Sequence, residues 1–149
     1  MSTPDDIDLN QVVADLFEIR PESAVDWYGR TLGQPLPEYD VAESKTMMTK
    51  TMQEPFIDRV LPLVILRKND EAVHGLLYDV LKSPNDEQGM LWLPSIGGAQ
   101  EHYGCPIALV VPCIDVATAK WALAYSQWED RGCYALPFLV PRPEDLVSA

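Results

Sequence analysis

Histidine is scarce in this chain: there are two, His74 and His102, a thin supply for general acid–base chemistry. Cysteine is nearly as scarce, and its count of three is odd. That disfavours a disulfide framework and points to a reducing, cytoplasmic setting. Basic residues are few, with 11 Lys+Arg against 23 Asp+Glu and a formal charge of −12. Such a chain is a poor ligand for nucleic-acid phosphates or an anionic membrane, and it is drawn to basic partners. No apolar run approaches a membrane span, and no basic stretch precedes an apolar one at the N-terminus, so neither membrane insertion nor a signal peptide is expected. The spacings of dinucleotide and Walker loops, of the nucleophile elbow, of H-E-x-x-H and of EF-hands are all missing. No cofactor is therefore expected.

What is present suffices for one folded unit. The 149 residues are 47% hydrophobic, enough to fill the core of a single domain over 1–149. Residues 1–6 read as a frayed tail and 141–149 as a tail laid on the surface. The charge is uneven: the formal net is −7 over 1–40, +2 over 41–68 and −7 over 69–149.

The strongest helical signal is 114–128. Asp115 is a good N-cap and Gly132 a plausible stop. Ala117, Trp121, Ala124, Tyr125 and Trp128 share one side, and Val116, Ala119 and Leu123 a second, which predicts a central helix packed on two flanks. A helix capped by Asp8 runs to Arg20, with a core stripe of Leu9, Val12, Val13, Leu16 and Phe17, a Gln11 capping box and an Ile7–Val12 staple. Pro21 opens a second short helix ending at Gly33.

Residues 41–54 fit a marginal helix, and Phe56–Leu66 a buried helix kinked near Pro62 or a strand starting after it. A helix over Asp70–Lys82, capped by Asn69 or Asp70, carries a stripe of Val73, Leu76, Leu77, Val80 and Leu81. Residues 90–94 form a short apolar segment, and 95–104 a glycine-rich loop, a place where function often lies. Residues 107–111 and 133–140 look extended, with Pro137 marking the last strand as an edge or irregular. The expected fold is mainly α, a single domain with a short β component. The alternative is α+β with a βαβ-like C-terminal unit at 107–140.

Two sets of residues could carry function. Trp27, Met47, Met48 and Met52, with Lys45 and Lys50 beside them, could form a partner-binding patch, because methionine adapts to varied surfaces and tryptophan anchors interfaces. His102 and Cys105, three apart, could hold a metal together with Cys113 and Cys133, or form a nucleophile pair. No second motif with ligand spacing supports a metal, and Glu101 would raise a neighbouring thiol pKa rather than lower it. The expectation is a non-enzymatic acidic protein-binding domain, an adaptor, chaperone or immunity-type inhibitor of a basic protein. A small enzyme or metal protein using His102 and Cys105, or a homo-oligomeric structural subunit, are the alternatives.

Overall fold

The chain runs α1 (Leu9–Ile19), α2 (Glu22–Tyr28), β1 (Val41–Lys50), β2 (Asp58–Lys68), β3 (Glu71–Tyr78), α3 (Asp86–Tyr103), β4 (Ile107–Cys113), α4 (Val116–Tyr125) and β5 (Ala135–Leu139). The computed structural model describes residues 8–50, 58–128 and 132–140. The five strands form one sheet in sequence order, antiparallel through β1–β2–β3 and parallel through β3–β4–β5. This is an α+β fold with a mixed sheet, and it overturns the expectation of a mainly α domain. The βαβ-like unit is present as β4–α4–β5.

The reason is burial on both faces. Leu9, Val13 and Phe17 of α1, with Ala24, Trp27 and Tyr28 of α2, pack on Val64, Leu66, Leu76, Tyr78 and Val110. On the opposite face Trp92 and Ala99 of α3 and Ala122 of α4 pack on Leu63, Ile65, Leu77, Leu109 and Val111. A strand covered on both sides reads as an unbroken apolar run, without the alternation of a half-exposed strand. The runs at 58–68 and 71–78 therefore resemble buried helix, and Leu76–Leu77 and Val80–Leu81 mimic a helical stripe.

Local chemistry decides the remaining corrections. Asn69 and Asp70 cap no helix; with φ of 53° and 68° they form the two-residue turn that joins β2 to β3, where Lys68 pairs with Glu71. Such turns need left-handed residues, and Asn and Asp tolerate that conformation. Pro62 lies inside β2, but the β3 ladder begins only at Leu63. Among the described residues, the strand over Asp58–Pro62 is paired on one side only, by β1, so the missing N–H falls where there is one ladder rather than two. Residues 41–50 are a strand, not a helix, as their β-branched threonines favour.

The glycine-rich stretch 95–104 is no loop; it is the second half of α3, with Pro94 inside. Met90, whose carbonyl loses its i+4 donor to Pro94, is 52% exposed, so water can serve it. Ser95 Oγ donates to Leu91 O at 2.6 Å. Asn85 caps the start, and Gly104, at φ 67°, closes the end.

The segment 114–128 is shorter and more peripheral than expected. Asp115 caps it, accepting from Thr118 N at 2.8 Å. The helix stops at Tyr125 and buries fully only Thr118 and Ala122. Val116 and Leu123 are exposed, and so is Trp128, at 45%. Trp121 is half-buried, against Trp92. One flank, not two, meets the protein.

Other expectations hold. Asp8 caps α1 through Asn10 N and Gln11 N, although the Gln11 side chain turns to Asp15 instead of back to the cap. Leu9, Val13 and Phe17 are buried, while Val12 and Leu16 are half-buried. Pro137 lies in β5, which is an edge strand. Ile7 and its staple, Met52 and the two expected tails lie outside the described residues.

Candidate functional site

Two places combine exposed or unspent chemistry with a fixed frame. The first is the β1 edge. Among the described residues β1 has a neighbour on one side only; it is ten residues long and contains no proline. The other edge, β5, is five residues long and contains Pro137, both of which blunt an edge. Lysine on an edge also discourages pairing; Lys45 is exposed and pairs with Glu43 at 2.9 Å, a carboxylate it shares with Arg67 at 3.4 Å. Beside β1 and against the C-terminal half of α3 lies a groove of about 320 Å³. Met47, Met48, Leu63, Ala99 and Tyr103 give it apolar walls, and Thr46, Gly98 and His102 complete it. A Cβ on Gly98 would come 3.3 Å from Met47 Cε, so glycine there lets the methionine lie close to the helix.

The residues singled out for partner binding do not form one patch. Met47 and Met48 are consecutive in a strand and point to opposite faces, one half-buried and the other 59% exposed. Lys45 is exposed. Trp27, expected at the surface, is 1% exposed and lies edge-on to Phe17, Tyr78 and Phe138 on the other side of the sheet. It is a core residue; burying one such indole contributes on the order of 4–6 kcal/mol before entropy. Lys50 ends β1, its side chain outside the described set, and Met52 lies outside the described residues altogether.

The metal and nucleophile candidates are likewise dispersed. His102 is exposed near the end of α3, its ring edge-on to Tyr103. Cys105 is buried, and burial pushes its thiol pKa up. Cys113 is buried in the second core, its pKa pushed up to about 12 by burial and by the nearby Asp115 and Asp79 carboxylates. Cys133 is half-buried and donates to Leu123 O. Among the described residues no group of three or more His, Cys, Asp or Glu side chains is set to hold a metal ion.

The second place was not anticipated. Asp79 directly follows β3 and is fully buried. Its N–H donates to Val110 O, which continues the β4 ladder, and its side chain falls on the α3 face with Leu77 and Leu81. Oδ1 accepts from Asn10 Nδ2 at 2.9 Å, Arg59 Nη2 at 2.8 Å and Gln88 Nε2 at 3.0 Å. Oδ2 accepts from Trp92 Nε1 at 2.8 Å. Asn10 in turn accepts from Val80 N at 2.8 Å through Oδ1. One carboxylate thus ties α1, β2, β3 and α3 together. A polar cavity of about 290 Å³ opens beside this cluster at the start of α3. The sequence did carry a signal: an aspartate inside Leu-Leu-Tyr-Asp-Val-Leu is a charge in a core run, and a buried charge requires partners.

Comparison with known proteins found no family model, no curated protein and no solved structure that matches this chain. Among the described residues no helix is long and apolar enough to cross a membrane.

Proposed function

We propose that this domain is a non-enzymatic protein-binding module that takes an extended, basic segment of a partner along the β1 edge, with apolar side chains seated in the groove between β1 and α3. The observation that carries this reading is the edge itself: ten residues, one ladder among the described residues and no proline, flanked by an apolar trough. Strand addition supplies main-chain hydrogen bonds, and a flanking pocket supplies selectivity. The formal charge of −12, which lies outside the +2 stretch 41–68 that holds β1, favours encounter with a basic partner at long range. Three free cysteines fit a cytoplasmic setting.

An alternating Lys–Val peptide is a suitable probe. On titration into the isotopically labelled protein it should shift the β1 amides together with those of Gly98, His102 and Tyr103, and added salt should weaken it. Binding that leaves β1 unmoved, or that salt does not affect, overturns the reading. Concentration-dependent mass by light scattering, with the same β1 shifts, would assign the edge to a second copy of the chain instead.

A further inference from the structure

We infer that the outer face of α3 is where this chain meets a second copy of itself, through Met90, Leu93, Pro94 and Gly97. At spacings of three, four and seven, these residues share one side of the helix. All four are exposed, Met90 at 52% and Leu93 at 40%. From Gln88 to Gln100 the helix carries no charged side chain, although the chain as a whole has 23 acidic and 11 basic residues. Exposed apolar surface gathered in one place marks an interaction site, whereas single apolar residues scattered over a surface do not. Two of the three glycines of α3 have a neighbour inside the chain: Gly89 makes room for Tyr125 and Gly98 for Met47. Gly97 has nothing within 4 Å of its Cβ position, so the room it leaves lies on the outside. Glycine weakens a helix relative to alanine, and close approach by another backbone or side chain is what it offers in return.

Charge identifies the occupant. A basic partner is drawn to acidic surface, and this stripe has none; the acids of α3, Asp86, Glu87 and Glu101, stand beyond its two ends. Two copies of a chain with a formal charge of −12 repel each other, and contact through an acidic face would set carboxylate against carboxylate. The uncharged stripe lets them meet without that opposition. It also fits itself. Met90 and Gly97 stand equally far on either side of Leu93–Pro94, so a two-fold axis there places Met90 of each copy over Gly97 of the other. With the two helices crossing at about −50°, a common packing class, the acids at the stripe's ends diverge. One helix pair is a small interface, so the dimer is weak and exchanges with monomer. The groove beside β1 lies on another flank of α3, the one that carries Gly98 and His102, so the two readings stand or fall separately.

The test is light scattering on the full chain from micromolar to millimolar concentration, with NMR of the isotopically labelled protein alongside. Mass should rise towards that of a dimer, and the Met90 and Leu93 methyl signals and the Gly97 amide should shift with it while the β1 amides stay. Added salt should strengthen the association by screening the repulsion between two acidic chains, the opposite sign to a basic ligand on the β1 edge. Gly97→Glu adds bulk and charge at an open position, leaves the core untouched, and should weaken association about tenfold or more. Met90→Lys should do the same. An equal mixture of the two variants should recover the dimer, because the lysine of one meets the glutamate of the other. A monomeric mass at every concentration leaves the stripe to a different protein and overturns the inference. So do self-association that shifts β1 rather than α3, variants that associate as tightly as the natural chain, and a mixture that associates no better than either variant alone.

Discussion

Replacing Asp79 with asparagine changes one atom in a fully buried side chain, and it should be among the most damaging single substitutions in the chain. The four contacts on Asp79 are all donors: an amide from Asn10, a guanidinium from Arg59, an amide from Gln88 and an indole N–H from Trp92. Asparagine keeps one acceptor oxygen. If that oxygen takes the Oδ1 position, the new NH₂ faces the Trp92 indole N–H, donor to donor. If it takes the Oδ2 position, three donors lose their acceptor instead. The first arrangement is the cheaper. It weakens a charge-assisted bond worth about 1.5–3 kcal/mol and strands an indole N–H at about 1–3 kcal/mol. It also leaves Arg59, 17% exposed, without its counter-ion. Breaking such a buried pair by removing one partner costs about 3–5 kcal/mol, and these figures overlap rather than add. The expected loss is therefore about 3–5 kcal/mol, or roughly a 10 °C fall in the unfolding midpoint for a domain of this size. Urea unfolding followed by tryptophan fluorescence measures it, since Trp92 reports the site directly. A loss under about 1 kcal/mol, with an unchanged urea slope, would refute the claim that this carboxylate joins the layers.

Two glycines of α3 should respond oppositely to alanine. A Cβ on Gly89 would come 2.6 Å from Tyr125 Cε1, in a ring already packed on Trp92 and Trp121. Gly89→Ala should destabilise by about 1–3 kcal/mol. Gly97 has nothing within 4 Å of its Cβ position, so Gly97→Ala should stabilise by up to about 1 kcal/mol through helix propensity. Thermal melts of both variants check the pair, and matching signs would contradict the packing described. Burial lowers the His74 pKa, so at mildly acidic pH the unfolded state takes up a proton that the folded state resists. Its contribution is intact above the unfolded pKa of about 6.5 and is lost as pH falls from there towards the folded value. His74→Gln should flatten stability against pH in that window, as urea midpoints across mildly acidic buffers would show. Cys113, with its pKa pushed up to about 12, should be the last thiol alkylated by iodoacetamide near neutral pH, and half-buried Cys133 the first. Mass spectrometry of timed samples gives the order, and early labelling of Cys113 would show that its pocket opens.

What the sequence by itself determined is whatever depends on near neighbours. The caps at Asp8 and Asp115, the buried stripe of α1, the proline-marked edge at β5 and the βαβ-like C-terminal unit are local, and each was legible. Tertiary structure decided the rest. Whether 58–68 and 71–78 are strands depends on helices covering both faces of a sheet, since that coverage erases the alternation that marks a strand. Trp27 is core and not surface because α2 folds it onto Phe17 and Tyr78, partners 10 and 51 positions away in the chain. The Asp79 cluster draws Asn10 from α1, Arg59 from β2 and Gln88 and Trp92 from α3 to the end of β3, and no spacing in one stretch encodes such a meeting. Short-range propensity writes caps and turns; a buried charge and its donors exist only once the layers have closed around them.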